Sequence, residues 1–165
     1  MTDTSPDGGR CYEDFEVGML IKHALGRTIS AADNRWTTLL AVNSNPIHID
    51  SHYASQTEFG QILVNSPFTL ALITGLTVAD ISRYGVNLGW DEVRMPAPVF
   101  EGDTLYAQTE VLSARESKSR PNMGLIEVKT TGFKQDGTVI MTFRRTVLVY
   151  KRGHVPTVPA PTIKQ

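Results

Sequence analysis

The segment Asn43-Ser44-Asn45-Pro46-Ile47-His48-Ile49-Asp50-Ser51-His52-Tyr53-Ala54 is the part of the chain richest in side chains that could do chemistry. Histidine exchanges a proton near neutral pH, so His48 is a candidate acid or base. Pro46 biases Asn45 away from the helical region and sets His48 on a loop, where a rigid scaffold tends to present reactive groups. The same place suits a histidine that only hydrogen-bonds a turn, and spacing alone does not separate the two. His48, Asp50 and His52 alternate, as three zinc ligands on one strand face would. Pro46 ahead of them and a helical turn over His52 to Gln56 break such a strand, so no metal is expected. Asp50 reads as the N-cap of that short helix. Ser66 lies in no Gly-x-Ser-x-Gly turn, which argues against a serine hydrolase.

These groups need elements to hold them. Met19 to Ile29 reads as a first strand, entered from the turn at Val17-Gly18. Ala31 to Val42 carries Trp36, Leu39 and Leu40 at helical spacing. Pro67 to Arg83 spreads Phe68, Leu70, Leu72, Ile73, Leu76, Val78 and Ile81 around the whole helical circumference, which predicts a buried helix. Ser66 is its expected N-cap and Pro67 its first residue, where a missing N–H costs nothing. Period-two strands follow over 87–95, 104–116, 123–135 and 138–151. Asp136-Gly137 between the last two predicts a type I′ hairpin turn. The expected fold is α+β, an antiparallel sheet of about five strands wrapped around one long buried helix. Residues 12–152 form the expected domain, with loose tails over 1–11 and 153–165, the second carrying Pro156, Pro159 and Pro161. Trp36, Phe68 and Trp90 are expected in the core or at an interface.

A length of 165 residues with 41% hydrophobic and 20% charged residues fits one ordinary domain with a real core. The formal net charge of -1 provides no field for nucleic acid or an anionic membrane. Cys11 is the only cysteine, which rules out an intrachain disulfide and fits a reducing, cytoplasmic setting. Met1 to Arg10 has no apolar signal region, and Leu70 to Ile73 is far too short to span a bilayer, so neither secretion by that route nor membrane insertion is expected.

Asn45-Pro46-Ile47-His48, with Ala54 after it and Pro98-Val99-Phe100-Glu101-Gly102-Asp103-Thr104-Leu105 beyond the apolar helix, resembles the MaoC-like dehydratases, the (R)-specific enoyl-CoA hydratases of the hotdog fold. The similarity runs from about residue 12 to residue 151. It implies addition of water to an enoyl-CoA thioester, or its removal, without metal or organic cofactor. It also implies a homodimer or higher homo-oligomer whose subunits pair their sheets, with the CoA arm along the boundary.

That chemistry needs a base for water, an acid for the α-carbon and donors for an enolate-like oxygen. The resemblance assigns the acid and base to His48. The family places an aspartate five residues earlier, where this chain has Asn43, an amide that can orient water but not accept its proton. Either His48 serves as acid and base while Asn43 positions the water, or another carboxylate substitutes, or the chain is not a hydratase. Many members carry a glycine whose N–H faces the thioester carbonyl. That place falls on Ser66, whose N–H still qualifies. Asn65 could add a donor or cap the helix. Lys118 and Arg120 are candidates for the CoA phosphates or a solvated hairpin tip, and Arg94 for an acidic acyl group. The Asn43 form and the Val64-Asn65-Ser66-Pro67 entry look like those of members acting on short, branched or dicarboxylic enoyl-CoA such as mesaconyl-CoA or itaconyl-CoA. The rival readings are an acyl-CoA thioesterase and a catalytically silent acyl-CoA-binding module.

Overall fold

A computed structural model describes residues 8–159, 161 and 162. Three long strands dominate, β4 (Thr104–Glu116), β5 (Met123–Lys134) and β6 (Val139–Tyr150), and each pairs antiparallel with its neighbour. Two short strands, β1 (Leu20–Lys22) and β2 (Arg27–Thr28), line the outer edge of β4, and β3 (Gly85–Arg94) lies on β6. The order β1-β4-β5-β6-β3, with β2 also on β4, gives six strands where about five were expected. The extra strand arises because Ala24, Leu25 and Gly26 interrupt the expected Met19 to Ile29 run. Residues 1–7 of the expected N-terminal tail, and residues 160 and 163–165 of the C-terminal one, lie outside the described residues. The N-terminal tail is not loose throughout, since Gly9 and Cys11 are buried and a Cβ on Gly9 would meet the Tyr84 ring at 2.5 Å.

Helix α1 (Ala31–Leu40) opens with a capping box, in which the Ser30 hydroxyl accepts from the Asp33 N–H at 3.2 Å and the Asp33 carboxylate accepts from the Ser30 N–H at 2.9 Å. The Ser30 N–H and the Ser30 hydroxyl, the latter at 2.8 Å, both donate to the Asp33 carboxylate and hold it below its ordinary pKa. The helix ends with the Asn43 N–H on the Thr38 carbonyl and the Val42 N–H on the Leu39 carbonyl. Val42 occupies the left-handed position of this ending with φ 53°, a place usually given to glycine and strained for a β-branched residue. Helix α2 (Ser51–Ser55) is capped by Asp50, whose Oδ1 accepts from the Tyr53 N–H at 3.0 Å.

Helix α3 (Ser66–Leu76) crosses the sheet and buries Thr69, Ile73 and Leu76. Ile73 is fully buried against Gly132, where a Cβ would come within 2.7 Å of Ile73 Cδ1. The helix is shorter than the expected Pro67 to Arg83, because a π-turn over Val78–Ser82 takes up the rest. Its N-cap position is Asn65 rather than Ser66, with Pro67 still in the first turn. Nor is it buried all round, since Pro67, Ala71 and Gly75 are exposed. Trp36 and Trp90 are exposed rather than in the core, at 66% and 45%, and only Phe68 packs against it. The β5–β6 turn also differs from type I′, because Gly137 alone is left-handed, with φ 86°, and its N–H closes onto the Lys134 carbonyl. A three-residue loop with one glycine in that region fits the twist of the strands equally well.

Candidate active site

The Asn45 side chain accepts the Ile47 N–H at 3.2 Å and starts a short 3-10 turn, Pro46–His48, with the proline where its lost donor is harmless. This turn delivers His48, almost fully buried, against the chain just before α3. The His48 Nδ1 lies 2.8 Å from the Leu63 carbonyl oxygen. A carbonyl can only accept, so Nδ1 carries the proton and Nε2 presents a lone pair, the tautomer of a general base. Leu63 is itself pinned, since its N–H donates to the Ile47 carbonyl and it bridges to Phe100.

Three residues beyond Leu63, Ser66 begins α3. The N–H groups of a first helical turn have no partner within the helix, and the aligned dipoles add positive potential there. Ser66, Thr69, Leu63 and Val64 form one side of a cavity of about 260 Å³, closed by Phe59, Ile140 and the Met95-Pro96-Ala97-Pro98-Val99 wall. Among the described residues, no charged one lines it. The wall follows β3 directly, after an irregular pairing between Asp91 and Arg94 at which Glu92 takes φ 52°. Arg94 stands at the head of this wall, exposed, with Nη1 donating to the Val93 carbonyl at 3.1 Å.

Asn43 sits half-buried where α1 ends, and its Oδ1 accepts the Asn45 N–H at 3.1 Å. Its two amide hydrogens remain to donate to a water. Asn65 occupies the N-cap position of α3, but its side chain makes no capping bond, and it does not line the cavity. It is fully buried, with Nδ2 donating to the Thr38 hydroxyl at 3.2 Å and its N–H donating to Asn34 Oδ1 at 2.9 Å. Lys118 and Arg120 are exposed on the β4–β5 tip, beyond the Met123–Tyr150 end of the sheet. Ile140 of the cavity lies at the other end, about 30 Å away along the strands at the usual rise per residue. The structure therefore sets Ser66 in the cavity lining and ties His48 to that lining through Leu63, while Asn43 and Arg94 are placed only by their chain neighbours, Asn43 at the end of α1 and Arg94 next to Met95, and Lys118 and Arg120 are remote from the cavity of their own chain. His52 is exposed on α2 and Asp50 is committed to its cap, so neither joins His48 as a ligand set.

The sequence reading missed Asn34, Thr38, and the cavity residues Phe59, Thr69 and Ile140. A polar residue inside the α1 pattern was the one available sign for Asn34, and it does not say what the amide meets.

The mesaconyl-CoA hydratase family matches residues 2–161 of the chain. A mesaconyl-CoA hydratase of Cereibacter sphaeroides is 32% identical over 160 residues, 96% of this chain and 46% of that protein. An (R)-specific enoyl-CoA hydratase of Aeromonas caviae is 28% identical over 79% of this chain and 92% of its own. Among solved structures, a MaoC domain protein dehydratase from Chloroflexus aurantiacus superposes with a TM-score of 0.84 at 29% identity, covering 100% of this chain and 46% of that one. A Mycobacterium tuberculosis protein with a double hotdog fold gives a TM-score of 0.80 at 20% identity, over 94% of this chain and 53% of its own. The fold is thus a hotdog, and the chain spans less than half the length of the mesaconyl-CoA hydratase it matches.

Proposed function

The chain belongs to the mesaconyl-CoA hydratase family of MaoC-like hotdog proteins, and from that premise we propose that it adds water to a short, branched enoyl-CoA thioester, or removes it, in the cytoplasm. The observation that carries this reading is His48 Nδ1 at 2.8 Å from the carbonyl of Leu63, with Leu63 and Ser66, the first residue of α3, both lining the cavity. His48 Nε2 takes a proton from a water oriented by the Asn43 amide. The hydroxyl oxygen bonds to the β-carbon, and the double-bond electrons move toward the thioester carbonyl oxygen. The Ser66 N–H receives that developing charge, helped by the helix dipole. The imidazolium then returns the proton to the α-carbon, so one water has been added and His48 is restored. No metal or organic cofactor enters these steps.

The names of the relatives support mesaconyl-CoA as the substrate. Its free carboxylate could not be buried unpaired in an uncharged cavity without a large desolvation cost. We assign it to Arg94 at the head of the cavity wall. We further propose a homodimer. β3 is a sheet edge whose Val86, Leu88 and Trp90 are all exposed, and the relatives with roughly twice this length support a second hotdog beside the first. Two-fold pairing of β3 edges would set the Met123–Tyr150 end of one sheet next to the Arg94 end of the other, which keeps Lys118 and Arg120 as candidates for the CoA phosphates bound by the partner.

The test is to incubate the chain with mesaconyl-CoA, itaconyl-CoA and crotonyl-CoA, following loss of enoyl-thioester absorbance, gain of one water by mass, and free thiol. Water gain on mesaconyl-CoA is expected, with Arg94→Ala lowering kcat/KM about tenfold for mesaconyl-CoA and little for crotonyl-CoA, the scale of one charge-assisted contact. Thiol release without hydration would establish a thioesterase instead. Ligand binding with no turnover would establish a silent binding module.

A further inference from the structure

Asn34 lies inside α1, fully buried, although an amide is a poor helix former and is costly to desolvate. Its contacts account for its presence. Nδ2 lies 3.2 Å from the His48 carbonyl, 3.4 Å from the Leu63 carbonyl and 3.3 Å from Glu101 Oε1, while Oδ1 accepts the Asn65 N–H at 2.9 Å. One side chain thus holds the backbone of the proposed base, the carbonyl that sets that base's tautomer, and the residue immediately before the Ser66 donor. Two amide hydrogens face three acceptors, so they are shared among them. We propose that Asn34 is a positioning residue for hydration, a clamp that fixes His48 Nε2 relative to the Ser66 N–H, with Glu101 as the far anchor of its amide and not as a proton donor. This inference rests on the hydratase reading above.

The geometry predicts that Asn34→Ala lowers kcat about 100-fold, as expected for a small misplacement of a reacting group, while the Kd of a CoA thioester changes by less than about threefold. The His48 Nδ1 proton resonance should also weaken or exchange faster. Thr38→Val is the matched control, since it removes a neighbouring buried hydrogen bond of the Asn65 side chain and none made by Asn34. It leaves every hydrogen bond of Asn34 itself in place, the one from the Asn65 N–H included, and should cost stability while leaving kcat within about threefold. Glu101→Gln keeps an acceptor for the Asn34 amide and should keep the wild-type pH profile. If Asn34→Ala does not fold, Asn34→Asp carries the same prediction, because it keeps the Oδ1 acceptor and turns the donor side into a repelling carboxylate. Wild-type kcat in a folded Asn34 variant, an equal loss in Thr38→Val, or disappearance of a pH limb in Glu101→Gln would each overturn the proposal. An inactive wild type would instead sink the hydratase reading, and the His48 resonance in Asn34→Ala would still decide the clamp.

Discussion

His48 and His23 are the same residue type put to opposite uses by their surroundings. His48 spends one nitrogen on a backbone carbonyl and leaves the other available, the one proposed above as the base. The His23 side chain is fully buried between Asp80, 2.7 Å from Nδ1, and the Thr109 hydroxyl, 2.9 Å from Nε2, so both its nitrogens are committed. Burial is the largest single influence on the His23 pKa and lowers it; Asp80 opposes this, Arg145 and Arg10 add to it, and the net result lies below the ordinary histidine value. Arg145 is itself buried, with its pKa lowered to about 10 by desolvation and Nη2 donating to the Thr77 hydroxyl at 2.7 Å. Because the folded chain holds the His23 proton less tightly than the unfolded chain does, stability is complete above the ordinary histidine pKa of about 6.5 and falls as pH drops below it. Urea midpoints at pH 7.5 and 5.5 should show this loss, and His23→Gln should flatten it. Parallel losses in both proteins would place the sensitivity elsewhere. At this scale the sequence marks His48, Asn43 and Ser66 through their chain neighbours and the family resemblance. Asn34 was invisible, because His48, Leu63 and Glu101 reach it only after folding.

The long strands were legible because each alternates over many residues, and β4 begins and ends at the expected Thr104 and Glu116. Failures fall where hydrogen bonding or backbone sterics, rather than hydropathy, decide the outcome. The apolar pattern continues through Val78 and Ile81, yet α3 stops at Leu76, where the chain passes into the π-turn. The type I′ expectation for Asp136-Gly137 failed because the Gly137 N–H bonds Lys134 across a three-residue loop. Exposure of Trp36, Trp90 and one side of α3 has a different cause, since a face meant for another surface has the same composition as one meant for the core. For β3, the account predicts that Trp90→Lys combined with Leu88→Lys converts a dimer into a monomer by sedimentation, by charging an edge that would otherwise pair. A monomeric wild type, or a double variant that still dimerises, would remove the edge from the interface.

Over the whole molecule, the hotdog places the cavity at one end of the sheet, with the π-turn and the His23 pair at the far end of α3. No helix among the described residues is long and apolar enough to cross a membrane. The central claim is that this chain, less than half as long as the mesaconyl-CoA hydratase it resembles, hydrates an enoyl-CoA by means of His48. The most direct test compares single-turnover hydration by the wild type and His48→Ala, with the Kd of a saturated acyl-CoA measured for both. The account predicts retained binding and a rate reduced by roughly 10²- to 10⁴-fold, the range for a lost general acid–base group. A His48→Ala rate within a few-fold of the wild type, with binding intact, would contradict it.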